Sequence, residues 1–569
     1  MSSILKTLIR HRPSPLFAST CAVIAMSTAL AATPPPPPPP ALSEFPLAWS
    51  DQVIPNFLIT LDDSRSMMWG FLPDSIFADV SQKFDPLSGL PVLDGSGNTT
   101  ANYPLQVHAK AHNALAYDPA VTYRPPRKPD GTRFPDASFT AANIDGFEPF
   151  MSPGFKRLNG HHSSVVNLAT SYQMTWYYPT QTLPGPPVTV KQRFNAFANA
   201  PQPAFYAKKN SAACGGFTNG GAAYKAWVDS LYANPLNTST SIAAAIANYG
   251  TTCFTKVVVS ATSGPGGTDE RQNFANWYAY SRTRALGAIT GLVTAMSSTS
   301  SDLRATCQTL ENTVSGACNT TIPPMETMDA AGRTALVQKL INTPMPGDTA
   351  LREAGYRAIQ YFKGTGNNGP WAFSPSTGVK APEYSCRQSY HMMVTDGEWT
   401  GTGSSASPIS DQDRGLIRPY RDRTNPAAEV TLADVAFEAW NTDLRPDMPD
   451  NVPLRIVNPA PANPTAAQLT ARNNDPDNDP AAHQHLSTFT VGFGVNGTLN
   501  YPSDLGALKS GGKAWTAVFK DDGFGNRISN GPGRIDDLWH AAINGRGKYF
   551  SAGNPTQLAT DIQAVIDLV

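Results

Sequence analysis

The 569-residue sequence has few charged residues and no excess of charge of either sign. Charged residues make up 15% of the chain, with 43 lysines and arginines against 44 aspartates and glutamates and a net charge of −1. A surface so evenly balanced has no electrostatic attraction for nucleic acid or for an anionic membrane surface. We therefore expect no nucleic-acid partner.

Motifs for catalysis are missing as well. The sequence contains no Gly-x-Ser-x-Gly, no phosphate-binding loop and no Cys-x-x-Cys. His108 and His112 have the spacing of one helix face, but no glutamate follows His108 as in a zinc protease, and no third ligand is recognisable. The sequence therefore predicts a binding protein and not an enzyme.

Long apolar runs are missing outside the amino terminus. There, basic residues precede a mostly apolar stretch at residues 16–30, and Ala29-Leu30-Ala31 is a small-x-small cleavage signal. The apolar stretch is short and interrupted by serine and threonine, which favours a removed signal peptide over a membrane anchor. We expect an exported protein without a transmembrane segment after signal removal. The predicted order is a signal peptide at residues 1–31, a proline-rich spacer at 32–50 and a folded region at 51–569.

Cysteines are few, and five of the six lie beyond the predicted signal peptide. An exported protein enters an oxidising compartment, where at most two disulfides can form from five cysteines. One pairing among several joins Cys307 to Cys318 across a short loop and Cys214 to Cys253 across a longer one, and it leaves Cys386 unpaired.

Segments with strand and helix periodicity alternate along the folded region, which predicts an α/β fold with a mostly parallel sheet covered by helices on both faces. Residues 71–267 lack sustained periodicity, and we interpret them as a large, partly β insertion after the first strand. The predicted strands lie near residues 55–62, 390–395 and 488–495, and the predicted helices at residues 284–296, 432–440 and 534–542, after residue 350, and after an N-cap at Asn554.

The most informative motif is Asp62-x-Ser64-x-Ser66, which directly follows the first buried strand. One carboxylate and two hydroxyls within five residues present oxygen ligands of the kind that Mg²⁺ prefers. Neutral hydroxyls leave the cation electron-poor, so that it retains affinity for a carboxylate from a partner. The alternative is ordinary turn and helix-cap chemistry.

Two later segments favour the metal hypothesis. Thr349 lies at the start of a predicted helix, and Asp396 ends an apolar stretch of strand length. Ligands in open α/β sheets bind outside the carboxyl ends of the strands, where Asp62 and Asp396 would both lie. Close carboxylates among Asp62, Asp63, Asp348 and Asp396 would resist joint ionisation unless a cation were bound.

These three segments resemble the metal-ion-dependent adhesion site of von Willebrand factor type A domains, which have a Rossmann-like α/β fold. The resemblance implies direct ligation of Mg²⁺, or of Mn²⁺ or Ca²⁺, by Ser64 and Ser66. It also implies that Asp62, Thr349 and Asp396 bind the metal directly or through water. An exposed Asp or Glu of a protein ligand would complete the coordination shell.

Other motifs resemble the amino-terminal half of the PilY family of type IV pilus-associated proteins, whose members usually continue into a carboxyl-terminal β-propeller. The resemblance implies a role in pilus assembly or adhesion, with pilus components or a surface receptor as partners, in the periplasm, on the pilus or at the cell surface. The alternative is a metal-independent structural factor of the pilus machinery. The motifs are residues 271–278, 282–284, 432–436, 443–447 and 534–542.

Two positions depart from the adhesion-site pattern. Arg65 stands between the two serines in place of a small residue, and Asp348 stands where glycine is usual. Arg65 would either weaken metal affinity by repulsion or pair with Asp348, and the sequence leaves both alternatives open. We treat both residues as modulators of the site.

Overall fold

A computed structural model of the chain describes residues 53–70, most of 109–171, 203–208, short pieces between 230 and 251, and then 252–372, 383–400, 409–422, 430–495, 497–521 and 527–568. The predicted signal peptide and spacer lie outside these residues. Within the described part, no helix is both long enough and apolar enough to cross a membrane.

The described strands are β1 Asn56–Leu61, β2 Ala142–Asn143, β3 Val165–Val166, β4 Ala204–Lys208, β5 Phe254–Val258, β6 Arg304–Thr309, β7 Glu326–Thr327, β8 Ser389–Thr395, β9 Ser487–Phe493, β10 Phe519–Asp521, β11 Arg527–Ser529 and β12 Arg546–Ala552. The central sheet has six of them in the order β12-β9-β8-β1-β6-β7. Neighbouring strands from β12 to β6 are parallel, and β7 pairs with β6 in the antiparallel sense.

Helices cover both faces of this sheet. One apolar core joins it to α3, α4 and α10, and two further cores on the opposite face join it to α5, α6 and α9. The described α-helices are α1 Leu168–Ser171, α2 Arg271–Tyr280, α3 Arg284–Ser298, α4 Ala330–Asn342, α5 Leu351–Phe362, α6 Leu432–Asn441, α7 Ala466–Asn473, α8 Leu505–Ser510, α9 Gly531–Asn544 and α10 Pro555–Ile566. The predicted α/β fold with a mostly parallel sheet is confirmed.

Strand β1 lies inside the sheet because its side chains suit burial on both faces. All six of its residues are buried. Its polar Thr60 is satisfied across the sheet, since its hydroxyl lies 2.7 Å from Nε2 of His391 on β8 and accepts a hydrogen bond from Nε2 of Gln308 on β6 at 2.9 Å. Burial lowers the pKa of His391 to about 3, so this imidazole is neutral at physiological pH.

The direction in which the chain adds strands to the sheet changes beside β1. After β1 the chain adds β6 and β7 on one side, and later it adds β8, β9 and β12 on the other. The loops that follow β1 and β8 therefore diverge at a topological switch point, where open α/β sheets bind their ligands. The predicted site loops follow these two strands.

Between residues 109 and 260, within the region interpreted as an insertion, the structure describes two short antiparallel strand pairs, β2 with β3 and β4 with β5. Aromatic side chains from this region, including Tyr117 and Phe205, form a separate core with Phe274 and Trp277 of α2. Tyr117 contacts the Phe274 ring edge-on, with ring centroids 4.9 Å apart. Helix α2, which contributes Phe274 and Trp277 to this core, ends at Tyr280, and α3 begins at Arg284.

The structure describes four of the cysteines, three of them in disulfides. Cys307 of β6 forms a disulfide with Cys318, as predicted. Cys253 is disulfide-bonded, and Cys214, its predicted partner, lies outside the described residues. Cys386 is a free thiol.

Candidate metal centre

The structure brings the three predicted segments together at the switch point. Ser64 and Gly347 form a parallel β-bridge. In this bridge, Gly347 N donates to Asp63 O at 3.1 Å and Arg65 N donates to Gly347 O at 3.0 Å. Thr400 N, beyond β8, donates to Thr349 O at 2.7 Å. The segment before α5 is therefore fixed by backbone bonds to both strand ends.

Three side-chain oxygens converge in this corner. The hydroxyl oxygens of Ser64 and Ser66 are 2.9 Å apart, and Ser66 Oγ donates to Asp396 Oδ1 at 3.0 Å. Mg²⁺ binds oxygen at about 2.0 to 2.1 Å in an octahedron, which places neighbouring ligand oxygens about 2.8 to 3.0 Å apart. The observed spacings therefore match two edges of such an octahedron, and the oxygen donors fit the cation.

Asp62 lies behind these oxygens and holds the loop in shape. Its Oδ1 accepts from Ser64 N at 2.8 Å, and its Oδ2 accepts from the Thr395 hydroxyl at 2.6 Å. Complete burial raises the pKa of Asp62 above its ordinary value, although the hydrogen bonds from Ser64 and Thr395 act in the opposite direction. A bound cation would offset this cost of burying the charged form.

Asp63 faces away from the serines and has a structural role. Its carboxylate accepts backbone N–H bonds from Leu310, Glu311 and Asn312, the shortest of them 2.7 Å from Asn312. Burial raises the pKa of Asp63 to about 6, although these hydrogen bonds act in the opposite direction. The carboxylate thus ties the end of β1 to the loop after β6.

Arg284 is a site residue to which the sequence motifs assigned no role. Its Nη1 lies 3.0 Å from Asp396 Oδ2, and both side chains are almost completely buried. The guanidinium also lies over the Trp69 ring, 4.9 Å from its centroid. Thr283 caps α3 by accepting from Leu286 N, so Arg284 is the first residue of that helix. A cation at a helix amino terminus is electrostatically unfavourable, and the ion pair with Asp396 compensates for it.

Of the two alternatives for Arg65, the structure contradicts pairing with Asp348, and weakening of metal affinity by repulsion stays a prediction. Both side chains are exposed, and no ion pair joins them among the residues that the structure describes. Arg65 Nε instead donates to Pro346 O at 3.0 Å, and Asp348 N donates to the Glu311 carboxylate at 3.1 Å. The expected clustering of Asp348 with the buried carboxylates fails because its side chain extends into solvent. Thr349 lies just before α5, as predicted, and is buried.

The fold indicates the class of protein. A mostly parallel sheet flanked by helices is consistent with a von Willebrand factor A-like α/β fold. No protein-family model matches the chain, and no solved structure matches it.

Comparison with curated proteins shows what the chain is similar to. The chain is 31% identical over 570 residues to the type IV pilus biogenesis factor PilY1 of Pseudomonas aeruginosa strain PAK, which covers 97% of the chain and 41% of that relative. It is 30% identical over 580 residues to PilY1 of strain PAO1, with the same coverage of both chains. For PilY1 of strain UCBPP-PA14 the identity is 28% over 553 residues, covering 92% of the chain and 38% of the relative.

Over nearly all of its length, the chain is therefore similar to PilY1-type proteins. The predicted resemblance is thereby confirmed. The chain spans about two fifths of the length of the curated relatives that it matches.

Proposed function

We propose that this chain is an exported type IV pilus assembly and adhesion protein that binds an acidic protein partner through a divalent metal site. The observation that carries the proposal is the convergence of Ser64 Oγ, Ser66 Oγ and Asp396 Oδ1 at spacings of 2.9 and 3.0 Å. The similarity to PilY1-type proteins supports the pilus role, because these relatives are named type IV pilus biogenesis factors.

Ser64, Ser66 and Asp396 would hold the cation, with Asp62 and Thr349 contributing directly or through water. The bound cation would supply a Lewis-acidic coordination position for an Asp or Glu carboxylate of a pilus component or surface receptor. Thr395 keeps Asp62 in orientation through the hydroxyl bond to Oδ2. The activity is binding and not turnover.

Arg284 limits how strongly the site can attract metal. Its guanidinium forms an ion pair with Asp396 Oδ2, while the other oxygen of that carboxylate, Oδ1, faces Ser66. The ion pair compensates part of the negative charge that would attract a metal ion. A site with reduced charge binds Mg²⁺ weakly by itself and gains affinity when a partner carboxylate completes the shell. Metal and partner would therefore bind cooperatively.

A second candidate function follows from the same ion pair. Since Arg284 already compensates Asp396 in the folded chain, the domain can be stable without metal and act as a metal-independent assembly factor. This alternative predicts normal piliation and normal attachment when a metal ligand is removed.

The two functions separate in a strain that lacks its own PilY1-type protein and is complemented with this chain inserted in the full-length relative. Ser66→Ala removes one ligand oxygen, and Ser510→Ala, on an exposed helix end, is the matched control. We expect normal surface pili with lost attachment for Ser66→Ala and full attachment for the control. Unchanged attachment in Ser66→Ala would contradict the metal-dependent proposal.

A measurement on the purified chain tests the metal directly. The melting temperature should rise with Mg²⁺ or Mn²⁺ concentration, because binding to the native state alone stabilises it by mass action. Ser66→Ala should lose this rise, and Ser510→Ala should keep it. A rise of equal size in both variants would place the metal elsewhere.

A further inference from the structure

A small cavity lies between two loops, and none of the residues that line it belongs to the metal centre. The end of the 409–422 loop forms one side, and the segment that follows α8 forms the other. The centre of a water molecule can occupy about 40 Å³ of the cavity, which is room for about three water molecules. The cavity therefore admits a group of the size of one carboxylate.

The lining of this cavity is mostly basic. Three cationic side chains face one acidic side chain, and they are Arg418, Arg421 and Lys513 against Asp422. Lys513 is already compensated, since its Nζ lies 2.5 Å from Asp504 Oδ2. Arg421 forms no ion pair with any residue that the structure describes. With Asp504 included, one positive charge is left in excess, which matches a singly charged carboxylate better than a doubly charged phosphate.

The Arg418 guanidinium is held in position beside the cavity. Its Nη1 donates to Lys513 O at 3.2 Å, and its other N–H groups have no acceptor among the described residues. Gly511 ends α8 in the left-handed conformation, with φ +86°, and a Cβ at this position would lie 3.1 Å from Arg418 Cζ. The guanidinium therefore packs against a backbone that a side chain would crowd. A planar cation oriented in advance loses less conformational entropy when it binds a ligand.

Buried apolar side chains complete the lining. Trp515 and Leu508 both line the cavity and are almost completely buried. Trp515 Nε1 donates to Pro419 O at 2.6 Å, and its ring stacks on that of His540 with centroids 4.4 Å apart. These contacts join the two loops, so the cavity is formed before a ligand binds. Apolar walls also strengthen an ion pair, because they exclude water from part of its surroundings.

We propose that this cavity binds one carboxylate of a partner polypeptide, with Arg421 and Arg418 as the donors. Guanidinium groups pair with carboxylates through two parallel N–H···O bonds, and such pairs are stronger when they are partly desolvated. An Asp or Glu side chain and a chain carboxyl terminus both supply this group. The site needs no metal, so it does not depend on the proposed function at the switch point.

Peptide binding by the whole purified chain in chelator tests this site without metal at the switch point. The peptide Ac-Ala-Glu-Ala-NH₂ carries one side-chain carboxylate, Ac-Ala-Ala-Ala-OH carries one terminal carboxylate, and Ac-Ala-Gln-Ala-NH₂ carries none. By ligand-observed NMR, we expect a charged peptide to bind with a Kd on the order of 1 mM. The uncharged peptide should bind about 10-fold more weakly or less. The charged peptide that binds more tightly identifies the source of the carboxylate.

Replacement of the unpaired arginine assigns the binding to this cavity. Arg421→Gln should weaken binding of the charged peptide by about 10-fold or more. Arg414→Gln, at an exposed arginine of the same loop that does not line the cavity, should change nothing. Arg421→Lys keeps the charge without the planar fork and should bind with intermediate affinity.

Several results would overturn the proposal. They are equal binding of the Glu and Gln peptides, equal binding by the parent and Arg421→Gln, and no binding of either charged peptide at about 10 mM. Tighter binding of inorganic phosphate than of both peptides would assign the cavity to a different ligand. Arg421→Gln should melt at the same temperature as the parent, because the Arg421 side chain bonds to no described residue. If it melts lower, Arg421→Lys decides, and binding equal to that of the parent then counts against the proposal.

Discussion

Two clusters of buried carboxylates, one at the switch point and one beside the start of α6, differ in how their negative charge is balanced. At the switch point, Asp396 pairs with the Arg284 guanidinium, and Asp63 accepts three backbone N–H groups. Beside the start of α6, Asp413 and Asp434 accept hydrogen bonds from neutral donors, among them Gln412 N, Asp422 N and the Asn544 amide. Asp434 also interacts electrostatically with the Arg352 guanidinium. The carboxylate next to the recognisable sequence motif is thus the one that forms a direct ion pair with an arginine. The motif predicted which oxygens lie together, but it did not predict how their charge is balanced.

Replacing Arg284 removes the ion pair with Asp396 and should have the greatest effect on stability. Arg284→Gln leaves Asp396 buried without its cation, and we expect the unfolding free energy in chelator to fall by about 3 to 5 kcal/mol. Mg²⁺ should restore part of the loss, because it replaces the missing charge. Urea unfolding with and without Mg²⁺ measures both effects. The exposed Arg271, paired with Asp269, is the matched control. Equal stability of Arg284→Gln and the parent would show that Asp396 is not held by this ion pair.

Another buried carboxylate, that of Asp479, provides a test of side-chain compensation without metal. His485 Nε2 lies 3.0 Å from Asp479 Oδ2, and both side chains are buried. Burial disfavours the charged imidazole, but the Asp479 carboxylate outweighs it and raises the pKa of His485. Burial also disfavours the Asp479 charge, yet His485, Ser487 and Trp440 lower the pKa of that carboxyl overall.

The pH dependence of this pair has a definite sign. The raised pKa of His485 gives stability that is fully present below its unfolded value of 6.5 and is lost as pH rises through the folded value. The lowered pKa of Asp479 gives stability that is present above 3.8 and is lost as pH falls through its folded value. His485→Gln should cost about 1.5 to 3 kcal/mol near pH 6 and less at higher pH. A cost that does not change with pH would mean that His485 is neutral when folded.

Thr395→Val sharpens the description of the switch-point corner. The variant removes the hydroxyl that donates to Asp62 Oδ2 at 2.6 Å and leaves a buried carboxylate oxygen short of one donor. We expect a loss of about 1 to 3 kcal/mol in unfolding free energy, and Mg²⁺ affinity lower by about 10-fold. Thr395→Ser retains the hydroxyl and is the control. Unchanged Mg²⁺ affinity in Thr395→Val would show that Asp62 does not contribute to Mg²⁺ binding.

The smallest expected effect concerns Arg65. Its side chain is exposed and donates to Pro346 O, so Arg65→Gln should change the unfolding free energy by less than about 0.5 kcal/mol. Removing a positive charge beside the serines should raise Mg²⁺ affinity by about 2- to 5-fold at low salt, and the difference should shrink as salt screens it. Calorimetric Mg²⁺ titration at two ionic strengths measures this. Weaker binding by the variant would show that Arg65 supports the site through the Pro346 segment.

Sequence reasoning was most successful where the deciding interactions are local. The buried run of β1 and the oxygen-rich turn after it lie within a few residues, so strand and turn could be predicted together. Asn554 was predicted as the cap of the last helix, and its side chain accepts from Gln557 N. Strands β6 and β12 were not predicted. β6 reads Arg-Ala-Thr-Cys-Gln-Thr and β12 contains Arg, Gly and Lys, so neither has the apolar pattern of a buried strand.

Periodicity, turn residues and motifs were enough to predict the fold class and the resemblance to PilY proteins, because these features depend on near neighbours in the chain. The charge partners of the buried carboxylates, in contrast, could be found only in the folded chain. Arg284 and Asp396 are 112 residues apart, and Asn544 and Asp413 are 131 residues apart. Whether a buried carboxylate contacts an arginine or another carboxylate depends on which helix end packs against which loop. Coulomb interactions depend on the distance between the charges in space and not on their separation in the sequence.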